Sequence, residues 1–202
     1  DSDYLSSVVD RARQVLASDG RIFIGDVRDL RLHAALALRC ELARRAPSST
    51  ADLASRVADR CARDTELLVD PAFFTTLTGI THVQVMPRRG RGDSEMNSFR
   101  YDVVLHTGAV DTPELPDWTS WSAAANRQGL EDLLARGGEF GVRSIPNRRI
   151  ANDLAAITAL DAGLLLASDA TSTDDGVDVD ELHELADKFG YRCEVSVAGD
   201  PF

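Results

Sequence analysis

Two carboxylates and two arginines stand where they could handle a ligand. Asp26 and Arg28 follow the short apolar run from Arg21 to Gly25, and ligands of open α/β sheets gather beyond the carboxyl ends of the strands. There Asp26 can position an amine, and Arg28 can pair with a carboxylate or steady Asp26. The same two residues serve equally as a helix cap and a surface ion pair worth under about 1 kcal/mol. Glu95 opens a second stretch, in which Phe99, Tyr101, Val103 and Leu105 alternate with Arg100, Asp102 and His106 at the period of a strand. Val104 breaks the alternation, as a strand buried on both sides does. With Glu95 where this strand begins, and Asp26 at the end of another running the opposite way, both acids reach one edge of the sheet. Arg100 and Asp102 share a strand face and can pair. Tyr101 is either a pocket wall or a core ring with its hydroxyl satisfied at the edge.

The elements that must position these residues are legible in order. Leu5, Val8, Val9, Ala12, Val15 and Leu16 predict a helix over residues 3–17, with Gly20 past its end. The run Arg21 to Gly25 then reads as an interior parallel strand, completing one unit of a wound α/β sheet. A second helix spans Leu30 to Arg45 with Leu30, Ala34, Ala37, Leu38 and Leu42 on one side. A third, capped within Ser48 to Thr50, runs through Leu68. Two long helices between strands exceed a simple crossover, so the region 30–68 reads as a helical insertion, either a lid that sets substrate choice or a solvated flank. His33 lies on it as a boundary histidine. Asp70 and Pro71 open a short helix that ends near Gly79. Ile80 to Met86 alternates as a strand, antiparallel to the Phe99 strand across a polar loop.

Beyond His106 the texture changes. Thr107 to Asp117 holds two prolines and a glycine and reads as a linker. Trp118 and Trp121 are spaced as on one helical face. Leu130, Leu133 and Leu134 predict a helix stopped by Gly137-Gly138, and Phe140 to Pro146 is extended. Helices follow over Asn152 to Leu166 and from Asp178, whose spacing to Glu181 is that of a capping box, and Cys193, Val195 and Val197 alternate as a final strand. The division is therefore residues 1–106, a sheet core, and 107–202, a linker with a small α+β extension.

A net charge of −11 excludes a nucleic-acid binder, which needs a basic face. No apolar run approaches the roughly 20 residues of a membrane span and no signal peptide opens the chain, so a cytoplasmic location is expected. Cys40, Cys61 and Cys193 are odd in number and far apart, with no spacing for a metal or a disulfide framework.

Four landmarks carry a family resemblance. Gly20-Arg21-Ile22-Phe23-Ile24-Gly25-Asp26-Val27-Arg28, Asp70-Pro71-Ala72-Phe73-Phe74, the stretch from Glu95 through Arg100-Tyr101-Asp102, and Ile145-Pro146-Asn147-Arg148-Arg149 resemble, in order and spacing, the N-methyltransferase domains embedded in nonribosomal peptide synthetases. The match covers most of the chain. No glycine-rich loop follows a strand near the amino terminus, and that loop is where such enzymes hold S-adenosylmethionine. The chain thus resembles the carboxyl-terminal half of the domain, cut or falling at a domain edge at its far end too.

The resemblance implies a class I, Rossmann-like methyltransferase sheet, here its carboxyl-terminal half with a closing antiparallel hairpin. It implies transfer of a methyl group from S-adenosylmethionine to the α-amine of an aminoacyl thioester on a peptidyl carrier protein, with an adenylation domain as neighbour. The chemistry is mainly alignment and exclusion of water, with a group that takes the amine's proton. Glu95 and Asp26 are the candidates for orienting or deprotonating the amine, with Arg28, Asn97, Arg100 and Tyr101 shaping the substrate pocket. Arg88, Arg89 and Arg91 either grip the phosphate of the phosphopantetheine arm or form a solvated basic loop. Two alternatives stand beside this reading: a noncatalytic docking or structural segment, and methylation of a side-chain sulfur, oxygen or carbon.

Overall fold

The computed structural model describes residues 2–110, 118–121, 127–164, 176–197 and 199. Helix α1 (Ser2–Val15) leads through the Gly20 turn into β1 (Arg21–Asp29), followed by a single 3-10 turn (Leu30–Leu32), α2 (His33–Arg44) and α3 (Thr50–Arg63). Strand β2 (Leu68–Val69) and the short helix α4 (Ala72–Thr75) precede β3 (His82–Pro87), the helical turn α5 (Glu95–Ser98) and β4 (Arg100–His106). The remainder comprises β5 (Trp118–Ser120), α6 (Arg127–Arg136), β6 (Gly141–Arg143), α7 (Ala151–Asp161) and α8 (Val179–Lys188). The chain is α/β, with a mixed four-stranded sheet in the order β2-β1-β4-β3. Strand β4 runs antiparallel to both β1 and β3, and β1 runs parallel to β2. The hairpin expected between the Val83 and Phe99 strands is present, with Val83 opposite Leu105 and Val85 opposite Val103.

One face of β4 builds the core. Tyr101, Val103 and Leu105 point together into a cluster with Val9 of α1, Val27, Val69, Phe74 and Val85, as the two-residue side-chain period dictates. A second cluster joins the helical region: Leu36 and Leu38 of α2, Leu53 and Val57 of α3, and Ile157 and Leu160 of α7 enclose Leu32, Phe99 and Ile150. The helical pair at 30–68 is thus gripped by a helix from beyond residue 107. A third, smaller cluster joins α6 to α8 through Leu130, Leu134 and Leu185.

Several expectations need correction. Strand β1 does not end at Gly25 but continues to Asp29, because a bulge re-aims it rather than a turn ending it. Its longer pairing is antiparallel, with β4. Helix α2 buries Leu32, Ala35, Leu36, Ala37 and Leu38, leaving Ala34 exposed and Leu30 and Leu42 largely outside, since the 3-10 turn resets the helical phase by about a residue. Helix α3, capped by Ser49, whose hydroxyl accepts from the Asp52 amide at 3.1 Å, stops at Arg63, so Asp64 and Glu66 lie in a loop. Trp118 is in strand β5 and 56% exposed, not on a helix with Trp121. Helix α4 ends at Thr75, short of Gly79, and α7 at Asp161, ahead of its Gly163. Residues 191–197 form no strand; Val197 donates one backbone hydrogen bond to the carbonyl of Val85. Residues 111–117 of the predicted linker 107–117 and residues 168–175 of the predicted loop 168–176 lie outside the described residues.

Candidate functional site

The bulge in β1 is the origin of the site. Ile24 pairs with Val103 and Val27 with Tyr101, so Gly25 and Asp26 together oppose the single residue Asp102. The extra residue is accommodated by Asp26 itself, at φ +64°, a left-handed conformation uncommon outside glycine, where aspartate is one of the tolerated residues. The Asp102 carboxylate accepts the Asp26 amide at 2.8 Å and fixes the kink. Asp26 is thereby lifted out of the strand's alternation, and its side chain stays 41% exposed.

Three arginines serve five carboxylates around this bulge. Arg88 donates to Asp26 at 3.0 Å and reaches Asp102 at 3.5 Å. Arg100 lies 3.6 Å from Asp26, 2.6 Å from Glu66 and 3.0 Å from Glu95. Arg28 donates to Asp64 at 2.8 Å and to Glu66 at 3.0 Å, and the Asp64 carboxylate also lies 3.2 Å from His33 Nε2. The side chains of Arg28 and Arg100 are nearly covered, whereas those of Asp26, Glu66 and Glu95 are each two-fifths exposed or more. Cations therefore lie beneath and acids face outward, with more negative than positive charge. Burial alone lowers the pKa of Arg28 and Arg100, but their carboxylate partners outweigh it and both end raised. The Asp64 carboxyl is held below the usual range by the backbone amide of Glu66 and then by Arg28, against the opposing effect of burial.

Local folding explains why Glu95 belongs here. The lead-in to β4 is not extended; Ser94 caps the turn Glu95–Ser98, its hydroxyl accepting from the Asn97 amide at 3.3 Å. Glu95 thus sits one helical turn above Arg100 and turns back to it. Of the other predicted pocket residues, Asn97 and Tyr101 are elsewhere. The Asn97 amide donates to the carbonyls of Gly90 and Gly92, bracing the loop before α5. Tyr101 lies on the opposite face of β4 from Arg100, 1% exposed, its hydroxyl donating to the carbonyl of Val69 at 2.8 Å. Its ring is edge-on to Phe74 and burial drives its pKa upward. The structure therefore groups Asp26, Arg28, Glu95 and Arg100 and leaves Asn97 and Tyr101 out. Asp64, Glu66 and His33 join them unforeseen. Extending α3 to Leu68 concealed both acids, although the spacing of Asp64 and Glu66 just after the last apolar position of α3, Cys61, is the signal that was available.

The loop 88–94 is exposed over most of its length, as a solvated loop is, but its arginines are paired. Arg89 pairs with Asp180 at 3.1 Å and Arg91 with Glu184 at 2.9 Å, and the Gly90 amide donates to Asp180. Arg149 fastens the arrangement from below: it binds Asp178 through two nitrogens at 2.8 Å each and Asp180 at 3.0 Å, and donates to the carbonyls of Arg88, Gly90 and Asn97. Asp178 is also the cap of α8, accepting from the Asp180 amide. A cavity of about 420 Å³ opens beside the acid cluster, bounded by α2, the end of α3, Arg28 and Glu95.

No family model matches the chain. It is 36% identical over 172 residues to chondramide synthase cmdD of Chondromyces crocatus and 34% identical over 229 residues to cyclosporin synthetase simA of Tolypocladium inflatum, alignments that take in 78% and 98% of this chain. The beauvericin nonribosomal cyclodepsipeptide synthetase of Beauveria bassiana is 28% identical over 234 residues. These relatives are nonribosomal peptide synthetases. The chain spans only 4%, 2% and 7% of their respective lengths.

Proposed function

We propose that the chain is the carboxyl-terminal half of an N-methyltransferase domain of a nonribosomal peptide synthetase, and that it presents the α-amine of a carrier-bound aminoacyl thioester for methylation. The observation that carries this reading is the acid edge: Asp26, at the bulge within β1, and Glu95, in the turn before β4, face outward over a layer of guanidinium groups, beside a cavity. A surplus of outward carboxylates suits an amine, and the left-handed backbone of Asp26 is the strained conformation that persists at functional sites. Glu95 and Asp26 accept the N–H groups of the amine and take up the proton it releases. Arg100 and Arg88 hold the two acids in place, and Glu66 links Arg100 to Arg28. The mixed sheet with its closing antiparallel pair fits the Rossmann-like class of methyltransferases.

S-adenosylmethionine supplies the methyl group in this reading, and the described residues do not fit it. The turn Gly90-Arg91-Gly92 has its Gly90 amide donated to Asp180, and the next element is the four-residue turn α5 rather than a helix that aims amides at a ligand; Gly137-Gly138 leads into strand β6. We assign the cofactor to synthetase sequence outside the described residues. Residues 1–106 form the methyltransferase part with its helical insertion, and 107–202 the extension that locks the insertion through α7. The carrier protein and the adenylation domain are its partners, and three free cysteines fit a reducing, cytoplasmic setting.

A second reading has its own observation. Arg88 and Arg100 already neutralise Asp26 and Glu95 in part, as they would in a docking segment with no substrate. Incubating the synthetase that contains this chain with methyl-labelled S-adenosylmethionine and aminoacyl carrier protein separates the two. Label on the α-amine by mass spectrometry supports the methyltransferase, label on a side-chain atom moves the acceptor, and no label leaves the docking segment.

A further inference from the structure

The basic loop foreseen as a phosphate grip, Arg88 to Arg91, is engaged by Asp26, Asp180 and Glu184. A second set of arginines is not. Helix α2 forms one wall of the 420 Å³ cavity along its whole length, through positions 33, 36, 37, 40, 41 and 44, and the carboxyl end of α3 forms the facing wall. Glu95 and Arg28 stand at the His33 end. At the other end, Arg44 has no ion pair among the described residues. Arg60 shares Glu41 with Arg56, which also reaches Asp52 at 3.4 Å. Arg63 adjoins Asp64, which touches His33 and Arg28, and so belongs to the Glu95 end; it meets Asp59 at 3.7 Å with both side chains largely in water. Between the ends the wall is Leu36, Ala37 and Cys40, apolar side chains of α2. The trough thus has Glu95 and Asp64 at one end, an apolar middle, and at the other Arg44 and Arg60 against the single lining acid Glu41, in a protein whose net charge is −11.

From His33 to Arg44 the trough is about 16 Å long at the rise of an α-helix. A phosphopantetheine arm has about thirteen bonds between phosphorus and sulfur, and at the reach of an extended chain it spans about 15 Å. We propose that this trough holds the arm of the carrier protein, with its phosphodiester against Arg44 and Arg60, its alkyl and amide backbone along α2, and its aminoacyl end at Glu95. The assignment deepens the methyltransferase reading and rests on it for the identity of the aminoacyl end. The helical insertion is then the arm's channel: the phosphate anchors the substrate at one end and delivers the amine to the acid edge at the other, so that positioning is achieved by length.

The test titrates the full chain with 4′-phosphopantetheine and with pantetheine by calorimetry, in native protein and in Arg44→Glu and Arg60→Glu, the first at an exposed and the second at a half-buried position, neither of them in the buried core. Binding of 4′-phosphopantetheine, weakened about tenfold by loss of the phosphate or by either reversal, is the expected result, with affinity falling as salt rises. No binding, equal affinity for both ligands, or indifference to both reversals overturns the proposal. Methyl transfer by the intact synthetase, assayed in parallel, keeps the two readings apart. Arg44→Glu is expected to raise KM for the aminoacyl carrier protein far more than it lowers kcat. Methylation with that KM unchanged refutes the arm placement and leaves the enzyme standing. Phosphate-dependent binding without any methylation does the reverse.

Discussion

Replacing Arg149 with methionine should unfold the connection between the site and the rest of the chain. The arginine side chain is 3% exposed and makes six hydrogen bonds, three to the carboxylates of Asp178 and Asp180 and three to backbone carbonyls, those of Arg88 and Gly90 in the loop and of Asn97 in α5. Methionine fills similar volume, so the effect isolates the charge. Removing one partner of a buried ion pair typically costs about 3–5 kcal/mol, because the other charge remains buried and unpaired. Asp178 and Asp180 are one-fifth exposed or less, so water recovers part of that, and about 3 kcal/mol is expected. For a chain of 202 residues this lowers Tm by about 6–12 °C. Thermal and urea unfolding followed by circular dichroism measure it. Asp178→Asn should overlap with it, giving a coupling of about 1–3 kcal/mol in a double-mutant cycle. A Tm shift under about 2 °C, or additivity within about 0.5 kcal/mol, would refute the claim that Arg149 fastens the loop.

The same geometry sets other expectations. Tyr101→Phe removes the buried hydroxyl that donates to Val69 and should cost about 1 kcal/mol, with methyl transfer unaffected; a specific loss of turnover would return Tyr101 to the pocket. Asp26→Gly relieves the left-handed backbone and Asp26→Val worsens it, so the glycine variant should be about 2 kcal/mol the more stable; equal stabilities would show that the bulge relaxes without strain. Acidification should destabilise the fold in two stages, both of the same sign. His106 is buried beside Arg21 and His82, with Nε2 unpartnered, and desolvation first and then those cations depress its pKa. Its stabilising effect, present above the unfolded value near 6.5, is lost as pH falls through the folded one. Asp178 is held low by Arg149, so its contribution is complete above about pH 4 and is lost below. His106→Leu should flatten the first stage and Arg149→Met the second; an unchanged profile in either variant would contradict the assignment.

The periodicity of β4 was enough to place Phe99, Tyr101, Val103 and Leu105 inside, and the antiparallel pair with β3 is legible from alternation alone. Local capping chemistry was equally readable at Ser49, Asp70 and Asp178, since a side chain two or three residues before the amide it serves is a short-range signal. The features that escaped notice depend on the third dimension. No local pattern announces a bulge at Gly25-Asp26, because it exists only as a register difference against Asp102. Arg149 reads as one more surface arginine until α8 and the 88–94 loop converge on it. Asp26 and Glu95 are legible because each flanks a strand-like apolar run, although Asp26 lies at the bulge within β1; Glu66, which ties Arg28 to Arg100, falls in a stretch whose pattern continues that of α3.

The central claim is that the acid edge receives the amine. Its most direct measurement is the rate of α-amine methylation by the intact synthetase carrying Glu95→Gln, a replacement that keeps the shape and one oxygen for Arg100 but removes the charge. We predict a fall in kcat of about a hundredfold, with the carrier's KM little changed and the loss moderated as pH rises and the amine sheds its own proton. Undiminished methyl transfer across that pH range would contradict the account.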